Sequence, residues 1–365
     1  PVSWWGNPVE NGWGGIYYNL AQGVSTSFIT TWRTTTTNET ITIPTTGSGY
    51  NYDISTSDGQ TFTGVTGNQA ITFATAGDYD VSISGAFPRI YINNGVDKAK
   101  IIDIKQWGNI AWSSLEGAFK GASNLQLTAT DAPDLSNVTT LKEIFRQCSI
   151  FNANINHWDV SNVTDISFMF YQASAFNQDI SSWDTSSVIS ISHLFYFTSS
   201  FNQPLNNWDV SNVTDMSSTF RRSAFNQDLS SWNTSSVTGF FNAFRESPYN
   251  GSGSSNWDIS NVTAVHKMFY QSAFNENISS WDITSITYFT DFLKLSTALS
   301  TANYDAILIG WEATLQATYP NGSGYTPIIS IDFGGAEYTG GGAAATARAS
   351  LISNFSWSIT DGGIA

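Results

Sequence analysis

The chain has 365 residues, with 14 Lys and Arg against 29 Asp and Glu, a formal net charge of −15, and 12% charged but 15% aromatic residues. So few basic groups exclude nucleic-acid binding by phosphate neutralisation, and so many aromatic ones exclude a disordered chain. The single Cys excludes a disulfide framework or a multi-cysteine metal site, and no apolar run is long enough to predict a membrane span.

Residues 1–27, PVSWWGNPVENGWGGIYYNLAQGVSTS, crowd Trp4, Trp5, Trp13, Tyr17 and Tyr18 among glycines. The segment is too short to bury those rings alone. It is expected to dock or anchor on the next domain or on a partner, and to offer a route to a homo-oligomer. It carries neither a basic n-region nor an apolar h-region, so a signal already removed and a chain made without one both stay open. Residues 28–86 alternate in Thr-rich stretches, such as Thr40 to Ile43 and Asp78 to Ile83, separated by turns at 57–59 and 76–78. That pattern predicts a small antiparallel β-sandwich. Ser57-Asp58-Gly59 and Gly77-Asp78-Tyr79-Asp80-Val81 resemble the turn and closing strand of a PKD-like domain. Residues 87–114 are expected to carry the chain into a solenoid and to cap its first turn.

From there the chain repeats. Trp stands at 158, 183, 208, 232, 257 and 281, in steps of 24 or 25 residues. Phe145, Phe170, Phe195, Phe220, Phe244 and Phe269 form a second column, and Phe151, Phe176, Phe201, Phe225, Tyr249 and Phe274 a third, each followed by Asn. Eight slots, starting at Leu115, Leu141, Ile166, Ile191, Met216, Phe240, Val265 and Phe289, share one spacing, in which Ile166, Met169, Phe170 and Ala173 stand at i, i+3, i+4 and i+7. That spacing predicts about two helical turns per unit, with a short strand around Phe176 and Ile180. Stacked units would lay parallel strands about 4.8 Å apart and bury the columns continuously. The period lies within the leucine-rich-repeat range. The wording MFYQASAFNQDISSWDTSSV and FNQPLNNWDVSNVTDMSSTF resembles the BspA-like leucine-rich-repeat surface proteins (DUF285 repeats) over roughly residues 100–297. The expected fold class is therefore α+β: a leucine-rich-repeat solenoid of about eight repeats over 87–297, preceded by the β-sandwich and closed by an α/β cap over 298–365. Irregularity is expected at ESPYNGSGSSNW (246–257) and at Pro204, read as a strand position.

The column after the slot's Phe reads Lys120, Arg146, Tyr171, Tyr196, Arg221, Arg245 and Tyr270. On a regular stack it forms one stripe of cations and tyrosines on an acidic protein, suited to an interface or to sugar rings. It reads equally as a solvated face packing its stems over neighbours. Asp159, Asp184, Asp209, Asp258 and Asp282 read as Asx turns, with calcium ligation as the alternative. The Asn column reads as a buried ladder satisfying backbone groups. His157, His193 and His266 fall in three different slots, and Cys148 reads as a small core residue. No catalytic motif appears, so no enzyme, catalytic residue, cofactor or metal site is expected. The resemblance implies an extracellular or cell-surface protein that mediates adhesion or binds a protein or glycan. The alternative is a structural protein on a virion surface (spike, fibre or decoration) with a receptor-binding solenoid.

Overall fold

The computed structural model describes residues 26–327 and 329–365. All but the last two residues of the expected docking segment, 1–27, lie outside them.

The N-terminal part is antiparallel β. Its strands are β1 (Phe28–Thr34), β2 (Glu39–Ile43), β3 (Asn51–Thr56), β4 (Thr61–Val65), β5 (Gln69–Phe73) and β6 (Gly77–Ala86). They are joined by β7 (Ile101–Gln106) and β8 (Gln126–Leu127). One sheet runs β4-β3-β6-β1-β7-β8 and a second pairs β2 with β5. Alternation turns Phe28, Trp32, Ile41, Ile54, Ile71, Phe73, Val81 and Ile83 into a common core, each no more than 2% exposed. β7 pairs antiparallel with β1, but β8 joins β7 in parallel, with Asp103 opposite Gln126 and Ile104 opposite Leu127. The sheet thus turns directly into the repeats. At the joint, Gly108 has φ +64, and a Cβ there would stand 2.4 Å from the Ser27 carbonyl oxygen, so the turn needs glycine. Its N–H and that of Trp107 both donate to the Asp131 carboxylate.

The repeats stack coil on coil, and this corrects the expected fold class. Among the described residues no α-helix lies in the repeats; both α-helices lie beyond residue 300. No sheet among the described residues curls into a solenoid either. The coils touch through isolated parallel bridges, Thr140 to Asp165, Asp165 to Ser190, Ser190 to Asp215, and on through Gly239 and Ala264 to Tyr288. The α+β leucine-rich-repeat solenoid is therefore replaced by a largely irregular, turn-built stack with β-sheet before it. With no strand at Pro204, there is no ladder for it to interrupt.

The expected helical slots are paired four-residue turns. In residues 141–148, the N–H groups of Ile144, Arg146 and Cys148 donate to carbonyls three residues back. Those of Leu141, Glu143, Phe145 and Gln147 instead donate to Asp165, Ser167, Met169 and Tyr171 in the next coil. Glu143 and Gln147 sit at φ +60 and +64, as Phe168 and Gln172, and His193 and Phe197, do in the next two coils. A positive φ every fourth residue cannot continue an α-helix. It aims alternate N–H groups along the stack. Leu141, Ile144, Phe145 and Cys148 are all fully buried. Over eight residues a period of four selects the same inward positions as a period of 3.6, which is why the spacing reads as helix.

The aromatic columns fill the interior. Phe145, Phe170, Phe195, Phe220, Phe244 and Phe269 stack with ring centroids 5.3 to 6.2 Å apart. The six Trp of the repeat column are at most 4% exposed. From Trp183 onward each indole N–H donates to a carbonyl of the preceding coil, as Trp208 does to Ile180 at 3.0 Å. At 246–257 a short turn of 3-10 helix, Ser254–Asn256, follows Gly251 and Gly253, both at positive φ.

The C-terminal part closes the stack. It comprises α1 (Thr301–Thr318), β9 (Ser330–Asp332), β10 (Glu337–Tyr338), α2 (Ala343–Ser353), β11 (Ser358–Thr360) and β12 (Gly363–Ile364). The Ser300 side chain caps α1 by accepting from the Asn303 N–H. Trp311 on α1 donates its indole N–H to Ile278 at 3.0 Å, extending the Trp pattern by one place. Leu293 donates to the Asp332 carbonyl and Gly335 to that of Ser296, so the last coil finds backbone partners in the cap.

Candidate functional site

The seven stripe residues fall into one register. The carbonyls of Arg146, Tyr171, Tyr196, Arg221, Arg245 and Tyr270 each accept a backbone N–H from the coil before. Their side chains, all half-buried, form a ladder. Lys120 pairs with Glu143 at 2.6 Å, and Arg146 pairs with the same carboxylate. The Arg146 guanidinium lies 4.5 Å from the Tyr171 ring centroid. Tyr171 stacks on Tyr196 at 4.5 Å and 4°, and Arg221 sits 5.0 Å from the Tyr196 centroid. Arg245 lies 4.8 Å from Tyr270 and shares Glu246 with Arg222.

This geometry decides what the stripe can offer. Tyr171 and Tyr196 are stacked between Arg146 and Arg221, so both faces of each ring are occupied. They cannot stack on a sugar ring. What the half-buried ladder leaves to a partner is guanidinium N–H donors other than the buried Nε of Arg146 and Arg221, which suits an acceptor-rich one. Burial alone would push Glu143 up, but Lys120 and Arg146 hold it below the usual carboxylate range. Glu246 behaves the same way between Arg222 and Arg245. Burial, and then the neighbouring Arg245, push the Arg221 guanidinium down.

The sequence did not single out Glu143 or Glu246, which lie off the cation column. The column one place further on, Gln147, Gln172, Phe197, Arg222, Glu246 and Gln271, carries the signal for Glu246 but not for Glu143: it joins the ladder through Arg222 and Glu246, and through Gln147 donating to Gln172 at 3.0 Å. A second ring stack, Phe168 on His193 at 4.4 Å, runs beside the tyrosines. Burial, against a counter-pull from Asp215, keeps His193 below the usual imidazole range.

The remaining candidates resolve into structure. Asp159, Asp184, Asp209, Asp258 and Asp282 each accept the N–H two residues on, the geometry of an Asx turn. The Asn column is a ladder in which Asn152, Asn177, Asn202 and Asn226 each accept the N–H of the next Asn, but it lies at the surface rather than buried. Cys148 is fully buried, its thiol 3.2 Å from the Phe119 carbonyl, and burial pushes its pKa far up. His157 is exposed beside the Asp131 carbonyl and His266 stacks on Phe241, so the three histidines do not meet. A polar groove of about 560 Å³ opens between β6, β7 and the first coils. Its Arg33 and Lys105 are already paired, with Asp78 at 2.7 Å and Asp80 at 2.8 Å.

The family described as "Mycoplasma protein of unknown function, DUF285" matches residues 113–224 and again 206–306, together more than half of the chain. The chain belongs to that family. The DUF285 repeats therefore span every stripe residue from Lys120 to Tyr270. No curated protein and no solved structure matches the chain. Among the described residues no helix of this DUF285 protein is long and apolar enough to cross a membrane.

Proposed function

We propose that this chain is a non-enzymatic binding protein, exposed on a cell surface or outside the cell, that engages a protein or glycan partner through the ladder face of its repeats. In this reading residues 28–86 are a PKD-like β unit, and residues 1–27 hold the assembly to whatever carries it. The observation that carries the reading is charge placement: eight of the 14 basic residues of a −15 chain lie in the paired turns, at Lys120, Lys142, Arg146, Arg221, Arg222, Arg245, Lys267 and Lys294. An acidic molecule that gathers its scarce cations on one face steers acidic partners to that face and repels them elsewhere.

The double variant Arg221→Glu, Arg245→Glu tests this by binding to cultured cells and to immobilised matrix proteins. Binding is expected to fall at least about tenfold, while the melting temperature shifts by no more than about 2–4 °C. Binding equal to that of the parent protein removes the ladder face from the reading.

A further inference from the structure

The charges along the ladder are not evenly balanced. Lys120 and Arg146 share Glu143, and Arg222 and Arg245 share Glu246. Lys267 faces Asp291 at 3.5 Å. Arg221 stands between these groups with Tyr196 on one side and Arg245 on the other, and no carboxylate lies within ion-pair distance of it among the described residues. Its Nε is buried without a hydrogen-bond acceptor, as are those of Arg89 and Arg146, so its terminal Nη groups are the donors left for a ligand. An unpaired, partly desolvated guanidinium beside a second one is costly unless an anion completes it. Next to it Phe197 is 39% exposed, with Arg222 lying 5.3 Å from its ring.

From this juxtaposition we infer an anion subsite at Arg221, flanked by Arg245 and Arg222, that takes the carboxylate or sulfate group of an acidic polysaccharide. The assignment rests on the binding reading above and names its ligand class. A guanidinium presents paired N–H donors matched to the two oxygens of a carboxylate or to those of a sulfate. The half-open Phe197 ring gives the C–H face of an adjacent sugar an apolar seat. An Asp or Glu side chain would leave that seat unused, which favours a sugar acid over an acidic peptide. Glu246 sets the strength of the site, because it withdraws two of the three guanidinium groups.

The experiment measures affinity of the whole chain for polygalacturonate (carboxylate only), dextran sulfate (sulfate only), neutral dextran and poly-glutamate. Binding to polygalacturonate or to dextran sulfate, but not to dextran, is expected, and the stronger of the two identifies the anion. Arg221→Gln should weaken that binding about tenfold. Glu246→Gln should tighten it severalfold, a gain that a misfolded variant does not show. Arg33→Gln, an equal change of charge on the β sheet, should leave it unaltered. Equal losses for Arg221→Gln and Arg33→Gln, binding to neither polysaccharide, or preference for poly-glutamate would each overturn the assignment. If cell binding is lost in the double variant while the polysaccharides are ignored, the ligand class is wrong and the ladder face still binds.

Discussion

Two residues in each paired turn carry a positive φ, and outside the first coil all of them have side chains. The first coil uses Gly117 and Gly121, at φ +63 and +84, whereas the last uses Asp291 and Leu295, at +57 and +63. An L-residue in that region costs roughly 1–2 kcal/mol because its Cβ crowds the carbonyl oxygen. Asp and Asn tolerate it best through local hydrogen bonds; Leu has no such relief. Leu295 is 58% exposed, so its side chain returns little packing energy for that strain. Leu295→Gly is therefore expected to stabilise the chain by about 0.5–1 kcal/mol after the extra freedom of glycine in the unfolded state is subtracted. The gain would appear as a rise in melting temperature of about 1–2 °C. Leu295→Ala keeps the Cβ and should give no rise. A Leu295→Gly melting temperature at or below the parent's would show that the turn tolerates its side chain without strain.

At the scale of the coil, the Trp column supplies both area and a hydrogen bond. Trp208 is 3% exposed, stacks on Trp183 at 6.3 Å, and donates its indole N–H to Ile180 in the coil before. Trp208→Ala removes the ring, opens a cavity and takes away one of the two N–H donors to the Ile180 carbonyl, so a loss of about 3–5 kcal/mol is expected in denaturant unfolding. Trp208→Phe keeps most of the ring and should cost about 0.5–1.5 kcal/mol for the lost indole hydrogen bond, because the Ile180 carbonyl keeps the Trp183 N–H. A loss under about 1 kcal/mol for the Ala variant would place the indole at the surface instead. These columns were legible because a residue that must be apolar in every coil recurs at a fixed step. The backbone of the coil was not. Leu141, Ile144, Phe145 and Cys148 satisfy helix and paired turn alike, and positive φ at Glu143 and Gln147 leaves no mark in residue type. What favours turns lies beside the slot: Asp165 and Asp215 accept the N–H two residues on and hold the entry to the coil in an Asx turn. The ladder was half legible in the same way. Its cations and tyrosines share a column, but Glu143 and Glu246 lie off it, and the face-to-face Tyr171–Tyr196 pair depends on a coil spacing that only coordinates provide.

Across the whole molecule, hydrogen bonding passes without a break from sheet to stack to cap. β7 pairs with β8, Ala111 bridges to Asp134, and the bridges then run from Thr140 to Tyr288. A stack of this kind buries each coil only against its neighbours, so its ends decide whether it stays folded alone. The β sheet covers the first end. At the other, Phe289 contacts Trp311 and Trp357 at 5.6 Å each, and Phe292 contacts Trp311 and Phe333 at 6.2 and 6.4 Å. Asn303 donates to Asn275 and thereby ends the surface Asn ladder with a side chain of α1. The cap has its own lock: Arg348 and the Tyr304 hydroxyl both bind Asp361, whose side chain is 4% exposed. Ending the chain at residue 297 would strip partners from Phe289 and Phe292 together and leave the N–H of Leu293 without the Asp332 carbonyl. Exposed rings in one contiguous patch drive association. The shortened chain is expected to bind a hydrophobic dye and to elute as aggregate, with the cooperative melt of the full chain lost. A monomeric product of residues 1–297 that melts cooperatively at the parent temperature would mean that the coils hold their own open end, and that α1 and the strands after it are a separate unit resting on a finished stack.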